Sequence, residues 1–284
     1  MARGWENWDR RRQRVLRAGI VVLCALIIGA ASQADTARAD DVLTYHNGPS
    51  RAGLYRVPDL TLGAARTLRL DPKFHGAVQG HVYAQPLFWH PAAGRALLVV
   101  ATESNFVYGL DPQSGQVVWR TGLGPPVPRS ALPCGNIDPV GVTGTPVIDP
   151  KSGVVYLASL SRNLDRPLQR IFALSLKDGA IVPGWPLDVG GELRKQKRAF
   201  SERIQQQRGA LLLLGSTLYV PYGGAWGDCG RYRGTIVQIE TASPKLDAVW
   251  QTRANGGGIW AIGGPSSDGV SIFVTTGNTF DAKE

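Results

Sequence analysis

Three hairpins, each closed by a tryptophan, recur in register along this 284-residue chain. They are residues 107–119 (VYGLDPQSGQVVW), 171–185 (IFALSLKDGAIVPGW) and 236–250 (IVQIETASPKLDAVW), and each reads as strand, polar turn, strand. Trp119 and Trp185 are 66 residues apart, and Trp185 and Trp250 are 65 apart. A fixed period of that size marks a repeat architecture, whose units bury their apolar faces only against neighbours. Upstream of each hairpin lie two further strand candidates: 83–89 with 96–103, 144–149 with 154–160, and 209–214 with 217–222. A fourth unit opens with 258–264 and 270–277.

Composition supports the same class. Glycine and proline, 35 and 19, occupy 54 of 284 positions, or 19%, against an ordinary share of about 12%. With one methionine and few runs of helix formers, the pattern excludes a helix bundle and favours short strands joined by tight turns. The expectation is an all-β propeller of four-stranded antiparallel blades, incomplete at about three to four blades of a presumed six to eight. Each tryptophan is predicted to pack against the next blade.

Residues 1–39 are set apart as a signal peptide. Six arginines precede residue 18, an apolar run fills 18–31, and Ala37-Arg38-Ala39 forms a small-residue cleavage site. The apolar run falls short of the roughly 20 residues that a spanning helix needs, and an uncleaved anchor is the one membrane attachment left open. Leu23 before Cys24 is unsuited to a lipobox, and the three arginines at 10–12 lack the rest of a twin-arginine signal. The mature domain is then 40–284, periplasmic or secreted. Removing the leader's seven arginines and three acids lowers the formal charge from +9 to +5. That surplus speaks of solubility more than of nucleic acid. Its densest stretch, residues 194–198, lacks aromatics for base stacking and is read as a solvated connecting loop. Two cysteines remain, Cys134 and Cys229, and in an oxidising compartment they are expected to pair.

The Leu110-Asp111-x-x-x-Gly115-x-x-x-Trp119 hairpin resembles the repeat of pyrroloquinoline-quinone (PQQ) dehydrogenases and their propeller relatives, with looser second and third copies. Residues 45–53, 83–87, 134–136 with 144–149, 207–213 and 276–281 resemble one branch of these quinoprotein-like propellers. The resemblance covers nearly all of 43–284. It implies the fold, and it implies a truncated ring whose first strand, at 41–44 or 68–70, would complete the last blade's sheet. It leaves the activity open, because such propellers include dehydrogenases, assembly scaffolds and binding proteins.

Segments leading into the innermost strands converge on one mouth of the channel. From these, Gln85, Arg208 and Trp260 are the candidate cofactor-binding residues. Arg208 suits a carboxylate or phosphate, and Trp260 offers a flat face to a planar ligand. Their ordinary alternative is hydrogen bonding within blade-joining turns. The resemblance further implies PQQ with Ca²⁺ as the cofactor and Asn278, in Thr276-Gly277-Asn278, as the metal-binding amide. The acidic ligand and catalytic group stay unassigned: Glu103, Asp228 and Asp281 are equally explained by turns. Adjacent cysteines, a haem-attachment motif, a nucleophile elbow and a phosphate loop are all lacking from the sequence. The four histidines are scattered, and the triple glycine at 256–258 does not lead from a strand into a helix. The leading reading is an exported ligand-binding or protein-interaction module. The alternative is the N-terminal part of a PQQ-dependent alcohol or sugar dehydrogenase. A third reading is an envelope assembly scaffold with protein partners.

Overall fold

The computed structural model describes residues 41–57 and 60–280; the proposed leader and Asp281 lie outside them. Three antiparallel sheets follow one another, each built on four strands in sequential order, the third with a fifth, two-residue strand paired off that path. The first holds β1 (Leu87–Trp89), β2 (Leu97–Ala101), β3 (Phe106–Leu110) and β4 (Val117–Gly122). The second holds β5 (Val147–Asp149), β6 (Val154–Asn163), β7 (Arg166–Ser175) and β8 (Leu187–Asp188). After a short helix and β9 (Gln205–Gln206), the third holds β10 (Leu212–Leu214), β11 (Thr217–Gly224), β12 (Thr235–Glu240) and β13 (Lys245–Gln251). A two-stranded sheet, β14 (Ser266–Ser267) with β15 (Ile272–Phe273), follows. These are propeller blades, and the repeat motif has a local cause. Asp111 Oδ1 accepts the backbone N–H of Gln113 and Ser114, closing the β3–β4 turn that the Leu-Asp pair begins.

The core lies between blades, as strand periodicity requires when both faces of a sheet are covered. On β6, Val155 and Leu157 join Val99, Val107 and Trp119 of the first blade. The alternate residues Tyr156 and Ala158 join Leu218, Val220, Val237 and Ile239 of the third. Trp119 and Trp185 are both buried in these seams, whereas Trp250 on β13 is 50% exposed. The third tryptophan therefore does not pack on a following blade among the described residues, which corrects the uniform role expected for the three. The next sheet along the chain, β14–β15, has only two strands among the described residues.

Three other expectations change. Residues 258–264 form no strand; one isolated bridge, Gly258 to Gly277, stands in its place, because the chain there curls under two left-handed glycines, Gly256 and Gly257. Val42 bridges Phe88 of the first blade's inner strand, so residues 41–44 do not extend the last sheet. Residues 194–198 begin as the last turn of a helix, Val189–Lys195, N-capped by the Asp188 side chain, with Arg194 paired to Glu202 and Lys195 to Glu192.

The N-terminal segment crosses the inner strands in turn. Leu43 O accepts from Ile148 N, and Pro49 O accepts from Ser267 N. Arg51 clamps this segment by donating to Thr44 Oγ1, Tyr45 O, Leu211 O and Pro265 O. Arg51→Met keeps the apolar stem but orphans those acceptors. The expected loss is about 2 kcal/mol in denaturant unfolding, with an unchanged far-UV spectrum.

Candidate functional site

A pocket of about 420 Å³ opens where the third blade meets the following glycine-rich segment. Arg208, Gly224, Ala225, Trp226, Gly227, Asp228, Trp260 and Asn278 line it. Arg208 stands just ahead of β10, on the segment between β9 and that strand. It is half-buried, and no hydrogen bond or ion pair occupies its guanidinium among the described residues. A cation so placed is open to an incoming anion.

The indole of Trp260 is 37% exposed and rests against a glycine floor. A Cβ at Gly223 would come within 2.8 Å of its Cδ1, one at Gly258 within 2.6 Å of the same atom, and one at Gly277 within 3.0 Å of its Cζ2. Glycine at these places thus lets a large flat ring lie on backbone with its remaining surface toward the pocket. The triple glycine at 256–258 has a second use. Gly257 N and Gly258 N donate to Asn278 O and Gly277 O, and a Cβ on Gly256 would overlap Asn278 O. The close approach of the two backbones holds Asn278 at the rim.

Asp228 pairs directly with Asn278 in the pocket lining. Its Oδ2 accepts from Asn278 Nδ2 at 2.6 Å and its Oδ1 from the Tyr232 hydroxyl at 2.7 Å. Burial, then the neighbouring carboxylate, push the Tyr232 phenol well above its ordinary value, so it stays a donor. Cys229, the next residue, is bonded to Cys134, the pairing expected from the sequence.

Three of the four residues singled out for a ligand, Arg208, Trp260 and Asn278, therefore share one cavity. Gln85 does not. Its N–H donates to Thr145 Oγ1 and its Oε1 accepts from His46 N, so it stitches the first blade to the second and to the N-terminal segment. Sequence reasoning left Asp228 unassigned and passed over Trp226. The adjacency of Asp228 to a paired cysteine was the available signal, because a crosslinked turn is a fixed turn.

Glu103 is the other notable carboxyl. It follows β2, is fully buried, and accepts the Gly141 N–H at Oε2 at 2.6 Å while Oε1 has no partner. Burial pushes its pKa up to about 7 against the opposing pull of Gly141 N–H, the Thr143 hydroxyl and the Arg208 charge.

A planar polyanion fits this donor set, with Arg208 for a carboxylate and Trp260 for the ring. A divalent cation would find the Asp228 carboxylate and the Asn278 amide oxygen, two ligands of the six to eight that Ca²⁺ takes. The described residues hold no cluster of three or more His, Cys, Asp or Glu able to bind a metal alone. The remaining oxygens would have to come from the ligand, backbone or water.

No family model matches the sequence, and no curated protein matches it significantly. Solved structures do match its fold. Quinohemoprotein alcohol dehydrogenase from Comamonas testosteroni aligns with TM-score 0.57 at 18% identity, covering 78% of this chain and 28% of that one. The corresponding figures for a quinohemoprotein alcohol dehydrogenase from Pseudomonas putida HK5 are 0.53, 16%, 75% and 27%. A europium-containing methanol dehydrogenase gives 0.55, 16%, 77% and 33%. At such identities the likeness establishes the fold alone: a β-propeller. The chain spans about a third or less of the length of each of these structures.

Proposed function

We propose that this chain is a ligand-binding propeller module that takes a planar, carboxylate-bearing quinone of the PQQ class, together with a divalent cation, in the pocket between Arg208 and Asn278. One observation carries this reading: an unpaired guanidinium, an indole lying on glycine, and an Asp–Asn pair line a single cavity. Arg208 would neutralise and orient a ligand carboxylate, Trp260 would support the ring, and Asp228 with Asn278 would hold the cation at the opposite edge. When bound, such a quinone supplies two-electron redox chemistry.

The test is a titration of the purified chain with PQQ, with and without Ca²⁺, read by tryptophan quenching and calorimetry. Saturable, Ca²⁺-dependent binding is expected. Arg208→Ala removes a charge-assisted contact of about 1.5–3 kcal/mol, so its Kd should rise about 10- to 100-fold. Trp260→Ala should weaken binding about ten-fold. Wild type that binds no quinone at millimolar concentration removes the reading.

A second reading, part of a PQQ-dependent dehydrogenase oxidising an alcohol or sugar, draws support from Glu103. A buried carboxyl near Arg208 with a pKa raised to about 7 is suited to accept a proton at neutral pH. Dye-linked oxidation of alcohols by the quinone-loaded chain, abolished in Glu103→Gln while quinone binding is retained, is its test. Export to an oxidising compartment accords with the disulfide. Recovery of the product in the medium or the osmotic-shock fraction, with the cytoplasmic contents retained in the cells, checks that location.

A further inference from the structure

We propose that the Cys134–Cys229 disulfide is a positioning element of the ligand pocket, fixing the turn that presents Trp226 and Asp228, so that its reduction releases bound ligand without unfolding the blades. The proposal rests on the ligand reading above and goes beyond it by assigning the bridge a role in that site.

The connectivity comes first. Cys134 lies between β4 and β5, on the approach to the second blade, and Cys229 lies in the β11–β12 connection of the third. That connection, residues 225–234, contributes four pocket-lining residues, counting Ala225. Its backbone is tied at one end by Ala225 N to Ile204 O and at the other by Gly256 N to Tyr232 O and Gly234 N to Gly256 O. Between those ends the hold comes from an internal turn, Asp228 N to Ala225 O, from the Tyr232 and Asn278 contacts to Asp228, and from the sulfur bridge. Cys229 N also donates to Cys134 Sγ at 3.4 Å.

Backbone conformation gives the second argument. Gly227 and Asp228 are both left-handed, at φ 96° and 44°. An aspartate in that region costs on the order of 1 kcal/mol and persists only where its surroundings hold it there. Gly227 backs directly on the bridge: a Cβ at 227 would lie 3.5 Å from Cys134 Cβ. The chain of contacts runs Cys134, Cys229, Asp228, Asn278, and so joins the second blade's approach to the segment beyond the third blade, around one pocket.

The blades do not depend on the bridge in the same way. Neither sulfur belongs to the apolar clusters that fill the seams between sheets. Cys229 is only half-buried while Cys134 is buried, so a dithiol reductant reaches Cys229 first. Its thiolate attacks Cys229 Sγ and expels the Cys134 thiolate. The reductant's second thiol then displaces Cys229, leaving two protein thiols and an oxidised, cyclised reductant.

The experiment uses the full chain labelled with 5-fluorotryptophan, resonances being assigned by single Trp→Phe variants, in its oxidised form, after dithiothreitol treatment, after re-oxidation, and as Cys134→Ser/Cys229→Ser. Reduction is expected to raise the Kd for PQQ with Ca²⁺ at least ten-fold and to move the Trp226 and Trp260 resonances. Trp119 and Trp185 should stay in place, and re-oxidation should restore affinity. Unchanged affinity with unmoved Trp226 overturns the proposal, as does a joint shift of all four resonances, which would make the bridge a general staple. Should the serine variant fail to fold, in-situ reduction of folded wild type supplies the same readout. If oxidised wild type binds no quinone, the ligand reading fails by itself, and movement or stasis of the Trp226 resonance still decides the positioning role.

Discussion

Replacing Trp119 with alanine is expected to lower stability by roughly 3–5 kcal/mol, in the range of large-to-small substitutions of buried aromatics. The indole is buried at the seam of the first two blades, directly across the sheet from Gly109, whose lack of a side chain leaves the ring its space. Its Nε1–H donates to Leu176 O on the second blade at 3.0 Å, beside Thr121 Oγ1, which donates to Gly179 O at 2.6 Å. Truncation therefore opens a cavity and leaves a carbonyl of the neighbouring blade without its donor. Trp250→Ala provides the contrast. That indole ends the homologous hairpin but is half-exposed, so its loss should cost at most about 1 kcal/mol. Urea unfolding of both variants checks the pair. Equal losses would mean that the tryptophans do not serve as blade-to-blade contacts and that their even spacing has another cause.

That contrast also shows how far the sequence reaches. The 65- to 66-residue period and the two-fold alternation within strands are properties of the chain alone, and they identify four-stranded sheets because each unit must bury both faces of a sheet on its neighbours. Whether a given tryptophan is buried depends on what stands beyond its sheet, which no hairpin encodes. Strand ends were legible only to within a few residues; 258–264 read as a strand because Ile259, Trp260 and Ile262 look like one, while positive φ at Gly256 and Gly257 sets the path. At the site, Arg208 and Trp260 were visible because each stands where the sequence reads as the approach to an inner strand, and Asn278 because Thr276-Gly277-Asn278 resembles a metal-binding stretch of the quinoprotein family. Gln85 obeys the same rule yet spends its side chain on the N-terminal segment. Asp228 sits in a connection outside the repeat pattern, and only the folded crosslink shows that it faces Asn278.

Glu103→Gln is expected to change the pH dependence of stability strongly between pH 4 and 8. The folded carboxyl has its pKa raised to about 7 from an ordinary 4.5. Between those values the folded chain binds more protons at this site than the unfolded chain does, so stability falls as pH rises. The contribution is most favourable below about 4.5 and is lost by about 7. A displacement of that size corresponds to about 3 kcal/mol at 1.36 kcal/mol per pKa unit. Glutamine keeps an oxygen for the Gly141 N–H that Oε2 accepts at 2.6 Å and carries no charge at any pH. The variant should match wild type at pH 4 and exceed it by about 3 kcal/mol at pH 8, so subtracting the two unfolding curves isolates the group from every other titration. A ligand changes the balance: an anion on Arg208 withdraws the positive charge that favours the ionised form, and should raise the Glu103 pKa further. A difference curve that is flat from pH 4 to 8 would mean that the carboxylate is ionised and satisfied in the folded chain, and with it would go the case for Glu103 as a proton acceptor beside the pocket.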